Sequence, residues 1–436
     1  MKSFKKSPVK LMASVNAVIA QFHQLPNKGR VENIVKRVEV MNENEVDVSF
    51  KNIVREFGKR HKNFEELLMD NFYRTQQIHG DLSYFSQNKK LVLGAFLTKE
   101  YAIQAAALFN PSIVPHLDQT GLQKGEQRFI MSLRATGEGH ISSIIFKTGV
   151  VDEKGSVTLD ESSGHFSVLK KNSDHTIQNI EYTSAGEFDD FADNNYDLVS
   201  PPNISLLEKV IFPSAKFERM GMEDLRLVKF DGGENAGYYG TYTAYDGRNI
   251  RPMLLETNDF NSFRVRSLYG NAVNDKGMAL FPEKVNGKFV MCSRQGSELL
   301  SIMFSGDLYK WESYQLLREP EFEWEFVQIG NCGSPIKTDK GWLLLTHGVG
   351  AMRKYVISAI LLDLKDPSQI IGRLTKPMIV ANEEEREGYV PNVVYTCGML
   401  QHGKLLIIPY AVSDFATVFA SVEIDEILNE MKNIAE

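Results

Sequence analysis

The sequence is poor in the features that mark membrane-spanning and nucleic-acid-binding proteins. No apolar run approaches the roughly 20 residues that a membrane span needs, and Ser14 and Asn16 interrupt the apolar stretch near the N-terminus. The formal net charge is −7 and no long block of lysine and arginine occurs, which argues against the usual electrostatic footprint of a nucleic-acid-binding protein. We therefore expect a globular, cytoplasmic protein that binds neither membranes nor nucleic acid.

Cysteine and metal-ligand spacings are equally scarce. The chain has only three cysteines, Cys292, Cys332 and Cys397, and their wide separation fits neither a disulfide framework nor a zinc site. Each borders an apolar run, so we expect buried, reduced thiols and a reducing compartment. The nine histidines are scattered, and no carboxylate-rich loop or glycine-rich nucleotide loop is present. The sequence therefore predicts neither a metal nor an organic cofactor.

The first hundred residues have the pattern of helices. Apolar residues recur at three- and four-residue spacings between residues 48 and 78, as on one face of an amphipathic helix. The stretch TKEYAIQAAALF is a second helical candidate, with Thr98 as its N-cap. We predict an N-terminal helical segment over residues 1–108.

The rest of the chain has the pattern of β-hairpins. Five segments each show an apolar run, a polar interruption and a second apolar run, and the last three intervals are about 50–60 residues long. The segments are RFIMSLRATGEGHISSIIF, YYGTYTAYDGRNIRPMLLE, KFVMCSRQGSELLSIMFS, WLLLTHGVGAMRKYVISAILLDL and LLIIPYAVSDFATVFASVEI. Recurring hairpins favour a five-bladed β-propeller over residues 109–436; a β-sandwich gives no reason for five similar hairpins.

In a propeller, the polar ends of these hairpins meet around one channel. Each polar residue by itself is typical of a solvated surface, but together they predict a shared polar funnel. The residues are Arg134, Glu138, Asp246, Arg248, Arg294, His347, Tyr355 and Asp414.

The stretch ERMGMEDLRLVKF (residues 218–230) raises a separate question. The acidic pair Glu223–Asp224 stands between Arg219 and Arg226, just before an apolar alternation. A solvated ion-pair cluster at the start of a strand is the simplest interpretation of such a pattern. The neighbouring sequence favours a catalytic one.

The sequence GMEDLRLVKFDGG…YYGTYTAYDGR resembles the signature of glycoside hydrolase family 130, the mannoside phosphorylases and related β-mannosidases. Four further matching stretches follow in order, so that the resemblance covers roughly residues 110–425. They are ALFPEKVNGKFVM, GSPIKTDKGWLLLTHGV, ISAILLDLKDPSQIIGR and EGYVPNVVYTCG. The resemblance implies a five-bladed propeller with the active site at the channel mouth.

The resemblance also implies that Asp224 is the general acid, acting on the glycosidic oxygen through a sugar hydroxyl. Such a group must hold a proton near neutral pH. The neighbouring Glu223 raises its proton affinity, whereas Arg219 and Arg226 oppose this effect. Four residues are candidates for binding phosphate: Lys284 and His347 by the resemblance, Tyr355 as a hydroxyl donor, and Arg134 because its guanidinium fork suits phosphate.

An inverting hydrolase would instead need a carboxylate base, for which Glu138 and Glu283 are available. Sugar binding requires hydrogen-bonding side chains near the channel, and five residues qualify: Arg226, Tyr242, Asp246, Asn331 and Asn392.

We therefore expect an all-β enzyme that cleaves a β-mannosidic bond, with β-1,2 as the first expectation for the linkage. The reaction would invert the configuration at the anomeric carbon. With inorganic phosphate as co-substrate it would be a phosphorylase that yields mannose 1-phosphate. With water it would be a β-mannosidase. A non-enzymatic carbohydrate-binding propeller is a more distant alternative, and assembly into a homo-oligomer stays open.

Overall fold

The computed structural model describes residues 1–172 and 194–433, and the described chain is mostly β. Its N-terminal part combines strands with a compact group of helices. In chain order the elements are β1 (Lys5–Met12), β2 (Val18–Phe22), α1 (Lys28–Glu39), α2 (Glu43–Phe57), α3 (Phe64–His79), α4 (Gln87–Phe96) and β3 (Thr98–Ala102).

The helices have the predicted amphipathic character. Their buried faces share one apolar core that includes Val35, Phe72 and Val92. Helix α2 begins with a capping box, in which the Asn42 side chain accepts from the Glu45 amide and the Glu45 carboxylate accepts from the Asn42 amide.

The predicted helix beginning at Thr98 is wrong. Residues 98–102 form β3, which pairs antiparallel with β2. Tyr101 and Ile103 are buried in a core shared with the β-strands that follow, so tertiary packing overrides the helical preference of this alanine-rich stretch. Helices therefore occupy residues 28–96, with strands on both sides, and the predicted boundary at residue 108 stays a prediction.

All five predicted hairpins are confirmed, and each lies within a unit of about four antiparallel strands. Unit 1 comprises β4 (Ala107–Pro115), β5 (Gln127–Thr136), β6 (Ser142–Val151) and β7 (Val157–Leu159), and is followed by the short strands β8 (Ser167–Val168), β9 (Lys170–Lys171), β10 (Tyr196–Val199) and β11 (Lys209–Ile211). Unit 2 comprises β12 (Gly221–Phe230), β13 (Gly237–Tyr245), β14 (Ile250–Thr257) and β15 (Ser262–Ser267). Unit 3 comprises β16 (Ala279–Leu280), β17 (Phe289–Gln295), β18 (Leu299–Ser305) and β19 (Tyr314–Arg318).

Two further units complete the series. Unit 4 comprises β20 (Gln328–Asn331), β21 (Ile336–Lys337), β22 (Trp342–Val349), β23 (Tyr355–Leu362), β24 (Ile370–Arg373) and β25 (Ile379–Val380). Unit 5 comprises β26 (Val394–Tyr395), β27 (Leu400–His402), β28 (Leu405–Val412) and β29 (Ala416–Glu423), followed by α5 (Ile424–Glu430) and β30 (Lys432–Asn433).

A fifth strand of the unit 5 sheet comes from the N-terminal part of the chain. Strand β1 pairs antiparallel with β29, from Lys5 opposite Ser421 to Met12 opposite Ala416. An ion pair between Lys6 and Glu385, 2.8 Å long, adds a contact to the same unit. The N-terminal strand is therefore part of the last sheet.

Five apolar cores join the units pairwise. Separate cores lie between units 1 and 2, 2 and 3, 3 and 4, and 4 and 5, and a fifth joins unit 1 to unit 5. The three cysteines are free and buried in the described structure, as expected.

Deletion of residues 1–12 should lower the melting temperature by about 5 °C or more, because it removes the strand that covers β29 and exposes apolar surface beneath it. Differential scanning fluorimetry would measure the loss. Leu11→Ala, which keeps the backbone pairing and trims one partly buried side chain, is the matched control and should have a smaller effect. Equal melting temperatures for the deletion and the full chain would show that β1 does not support unit 5.

Candidate active site

The acidic pair of unit 2 lies where strand β12 is irregular. The register against β13 shifts between Glu223 and Arg226, and Asp224 has a φ of +58°, an unusual conformation for a residue other than glycine. Gly221 enters the strand with a φ of +139°, and a Cβ there would lie 2.9 Å from the Ser142 amide nitrogen. This bulge re-aims the side chains that follow, as bulges near active sites often do.

Asp224 is held by two residues of unit 1. The Asn110 side-chain amide donates to Asp224 Oδ1 over 2.7 Å, and Nη1 of Arg134 lies 3.4 Å from the same oxygen. Arg134 also donates through Nη2 to Glu223 Oε1 over 2.9 Å and through Nε to Ser142 Oγ over 2.8 Å. A single guanidinium therefore links both carboxylates to the neighbouring unit.

The charges around Asp224 favour its ionised form. Burial raises the pKa of the Asp224 carboxyl, but the nearby Arg134, Arg226 and Lys276 and the hydrogen bond from Asn110 lower it, and the net direction is down. Asp224 is therefore a carboxylate at neutral pH.

Asp414, in the β28–β29 hairpin of unit 5, has the opposite shift. Burial and the negative charge of Asp224 raise the pKa of Asp414 to about 7, although Arg134 and Arg353 oppose the shift. Asp414 also has a left-handed backbone, with a φ of +47°. Because this pKa is close to neutral, the Asp414 carboxyl, which interacts with Asp224, is about half protonated at neutral pH.

Two buried arginines form the cationic part of the site. Arg226 donates through Nη2 to the Tyr395 hydroxyl over 2.6 Å and through Nη1 to the Asp224 carbonyl oxygen over 3.3 Å. Arg294 lies 3.6 Å from Asp275. Within residues 1–172 and 194–433, the Nε–H groups of both arginines are buried without a hydrogen-bond partner. Unpaired buried donors of this kind are costly and suit an anionic ligand.

His347 lies beside these arginines as a neutral imidazole. Burial and the charges of Arg294 and Arg226 lower the pKa of His347 to about 3. Its Nδ1 is 3.1 Å from the Asn331 carbonyl oxygen and its Nε2 is 2.9 Å from the Gln328 side-chain amide. The Tyr355 ring stacks on it at 5.9 Å between ring centroids. His347 is therefore suited to hydrogen bonding and does not contribute a positive charge.

Several predicted site residues are thus joined by contacts or by mutual charge effects. They are Glu223, Asp224, Arg226, Arg134, His347, Tyr355, Asn331, Arg294 and Asp414.

Other predicted residues lie in different surroundings. Tyr242 is buried in the core, where its hydroxyl bonds to Glu218, so the prediction that it binds sugar is wrong. The Lys284 ammonium lies over the Phe289 ring at 4.2 Å. Asp246 accepts from backbone amides in an exposed turn, and Asn392 accepts from Arg386 Nε over 3.0 Å.

Arg219 and the two candidate bases also lie apart from the described contacts of Asp224. Arg219 is exposed and donates to the Asp246 carbonyl oxygen over 3.1 Å. Glu283 forms an ion pair with Lys337 over 2.6 Å. Glu138 accepts from the Ala102 amide over 2.9 Å.

Three residues of this site were not predicted from the sequence. Asn110 holds Asp224, Lys276 lies 3.6 Å from Glu223, and Tyr395 accepts from Arg226. Asn110 and Tyr395 lie in strands with no charged neighbour, and Lys276 lies in a loop, so no local pattern marks them. In the described ranges no group of His, Cys, Asp and Glu side chains could hold a metal ion, and no helix there has the length and apolarity to cross a bilayer.

Comparison with known proteins places this arrangement in a family. The model of glycoside hydrolase family 130, described as beta-1,4-mannooligosaccharide phosphorylase, matches residues 195–433. The chain is 34% identical over 231 residues to a 1,2-beta-oligomannan phosphorylase of Thermoanaerobacter sp. (strain X514), covering 52% of this chain and 76% of that protein. It is 30% identical over 231 residues to a beta-1,2-mannobiose phosphorylase of Listeria innocua, covering 51% of this chain and 63% of that protein.

Solved structures agree at the level of the fold. The beta-1,2-mannobiose phosphorylase of Listeria innocua in complex with beta-1,2-mannobiose superposes with a TM-score of 0.52 at 23% identity, covering 74% of this chain and 92% of that one. A glycosyl hydrolase from Bacteroides ovatus superposes with a TM-score of 0.53 at 18% identity, covering 75% and 87%. The chain therefore belongs to glycoside hydrolase family 130, and it is an enzyme that transfers a glycosyl group to phosphate or water.

Proposed function

We propose that this protein is an inverting β-mannoside phosphorylase that cleaves a β-1,2-mannosidic bond with inorganic phosphate. The observation that carries the proposal is the pair of buried arginines, Arg226 and Arg294, whose Nε–H groups lack partners in the described structure. We infer the mannoside specificity from the phosphorylases of β-1,2-linked mannosides to which the chain is 30–34% identical.

The residues around these arginines form a suitable cradle for a phosphate dianion. Such an anion needs about two or three cationic or donor groups in a partly desolvated site. Arg226 and Arg294 supply two of them, and the neutral His347, with Tyr355 stacked on its imidazole, lies beside them. Lys284, which lies over Phe289, has a smaller part in this cradle than the resemblance implied.

The reaction needs one acid and one nucleophile. A phosphate oxygen attacks the anomeric carbon as the bond from that carbon to the bridging oxygen breaks. Asp224, through a sugar hydroxyl, supplies the proton that the leaving oxygen takes up. Inversion of a β-linkage then gives α-mannose 1-phosphate and a sugar shortened by one residue.

Bound phosphate also explains how Asp224 becomes an acid. Positive charges lower the pKa of Asp224, whereas burial and the charge of Asp224 raise that of Asp414 to about 7. A phosphate dianion beside Arg226 offsets these positive charges and favours the protonated form of Asp224. Phosphate is thus the nucleophile and also promotes protonation of the acid.

Hydrolysis is the second candidate function, and Asp414 is the observation that favours it. A carboxyl with a pKa of about 7 beside the acid has the properties of a general base for water. Glu138 and Glu283 are bound to the Ala102 amide and to Lys337, and so they fit this role less well.

The architecture that we propose around the site is a five-bladed propeller with a helical N-terminal extension. Its support is the cyclic order of the five cores, in which unit 1 packs on unit 5, and the pairing of β1 with β29. The three buried free thiols support a reducing, cytoplasmic location. We propose no cofactor besides the co-substrate phosphate.

Asp224→Asn should retain the fold and sugar binding but reduce turnover by about 10²–10⁴-fold, the usual contribution of a general acid. Release of mannose 1-phosphate from β-1,2-mannobiose measures the effect. Asp307→Asn, at an exposed turn of unit 3, is the matched control and should leave the rate unchanged. A rate near that of the wild type for Asp224→Asn would show that Asp224 is only a member of a structural ion pair.

Arg294→Met should raise the KM for phosphate by at least about tenfold, because a charge-assisted hydrogen bond to the anion is lost. Arg264→Met, at an exposed position of β15, is the control. The wild-type protein should form mannose 1-phosphate only when phosphate is present. Release of free mannose without any phosphate requirement would establish the hydrolase instead.

Asp414→Asn should stabilise the protein increasingly as the pH rises from 5 to 8. The folded protein keeps the Asp414 proton up to a pKa of about 7, whereas the ordinary value is 3.8. Between these values the folded state binds more protons than the unfolded state, so the wild type loses stability as the pH rises. An asparagine cannot ionise, and its melting temperature should exceed that of the wild type by about 2 °C or more at pH 8.

Melting curves of wild type, Asp414→Asn and the control Asp307→Asn at pH 5 and pH 8 test this linkage. A stability difference between Asp414→Asn and wild type that does not grow with pH would show that Asp414 is ionised in the folded protein.

A further inference from the structure

An aromatic contact links the β5–β6 hairpin of unit 1 to the segment that precedes β26 of unit 5. His140, in the β5–β6 hairpin, stacks on Tyr389 with ring centroids 5.8 Å apart and an interplanar angle of 27°. The Tyr389 hydroxyl and His140 Nδ1 are 2.9 Å apart. Tyr389 nevertheless remains 47% exposed, so this contact covers only part of its surface.

Tyr389 belongs to a segment that is fixed to the Asp414 hairpin. The Val390 amide donates to the Ser413 carbonyl oxygen over 3.0 Å, and the Ser413 amide donates to that of Val393 over 2.6 Å. A Cβ at Gly388 would lie 2.6 Å from the Ser413 carbonyl oxygen, so the two segments are in close contact. Since Ser413 precedes Asp414, the segment that carries Tyr389 is packed against the hairpin that carries Asp414.

The N-terminal part of the chain holds the other side of this contact. The Tyr101 hydroxyl donates to the Glu138 carbonyl oxygen over 2.7 Å, and the Ala102 amide donates to Glu138 Oε1 over 2.9 Å. Both donors lie on β3, which follows the helices. Strand β3 therefore fixes Glu138, and the same short hairpin presents His140 to Tyr389.

We propose that Tyr389 is a substrate-binding residue whose ring packs against the leaving-group sugar of the β-mannoside. Glu138 is a positioning residue that connects the N-terminal segment to this subsite. The inference rests on the proposed mannoside function. It also gives the N-terminal segment a role in substrate binding.

The exposed side chain of Tyr389 has the chemistry to bind a sugar ring. A pyranose has an apolar face of C–H groups and an equatorial rim of hydroxyls, and a half-exposed tyrosine offers both an apolar ring and a polar hydroxyl. The leaving-group sugar must lie beside the acid that protonates its oxygen, and the Tyr389 segment contacts the hairpin whose Asp414 interacts with Asp224.

The test compares binding and turnover separately. Isothermal titration with β-1,2-mannobiose, without phosphate, gives the Kd, and mannose 1-phosphate release gives kcat and KM. Tyr389→Ala should weaken binding and raise the KM by about 3–10-fold, the usual contribution of one aromatic contact, with a smaller change in kcat. Tyr314→Ala, which removes a tyrosine of similar exposure (48%) on the edge strand β19, should match the wild type.

Glu138 variants test the connection to the N-terminal segment. Glu138→Ala removes the acceptor for the Ala102 amide and should raise the KM in the same direction as Tyr389→Ala. Glu138→Gln keeps an acceptor oxygen and should restore the wild-type KM. Loss of turnover in Glu138→Gln with intact sugar binding would overturn the positioning role and identify Glu138 as a catalytic base.

The remaining outcomes separate the two proposals. Wild-type binding of mannobiose with an unchanged Kd in Tyr389→Ala would overturn the subsite and leave the proposed function standing. A wild-type protein that binds no β-mannoside and releases no mannose 1-phosphate would overturn both.

Discussion

The link from Arg134 to Glu223 and Asp224 is the interaction around which the site is organised. Two adjacent carboxylates held in a partly buried site would repel each other, and each would incur a desolvation cost. Arg134 bridges them from the neighbouring unit, and Asn110 adds a hydrogen bond from the same unit. The packing of unit 1 on unit 2 therefore also assembles the charges that set the protonation state of Asp224.

Backbone conformation concentrates strain at the same place. Asn110, Asp224, Met352, Arg353 and Asp414 all have left-handed backbones, and each such residue costs free energy that the surrounding packing must offset. The five residues come from four different units. The apolar cores between the units supply rigid support, and the strained residues present their side chains from it.

The charge balance of the site points to an anionic ligand. Arg226 and Arg294 keep unpaired, buried Nε–H groups within the described chain, and burial together with their charges keeps His347 neutral. The pKa of Asp224 is lowered and that of Asp414 is raised to about 7, so of these two groups Asp414 is the one that binds a proton first. An incoming dianion would relieve the unpaired donors and move the preferred position of that proton toward Asp224, so ligand binding and acid chemistry are coupled through one set of charges.

The sequence by itself determined the local elements and singled out the charged stretch around Asp224. Alternating apolar runs separated by polar turns predicted the five hairpins, because a strand with a period of two and a turn are local properties. The charged residues around Asp224 singled out that stretch, and the helical spacing of residues 48–78 predicted α2 and α3. The stretch from Thr98 failed because its burial against strands of other segments outweighs local preference.

Only the tertiary structure decided which polar residues meet. Tyr242 and Arg226 lie on paired strands and look equally suitable in sequence, yet the tyrosine bonds to the core carboxylate of Glu218 and the arginine reaches the site. No local sequence pattern distinguishes Asn110, Lys276 and Tyr395, because each acts through a contact with a residue far away in the chain. Hydrogen bonds and close ion pairs form only over a few ångströms, and proximity on that scale is set by how the units pack, which no local pattern encodes.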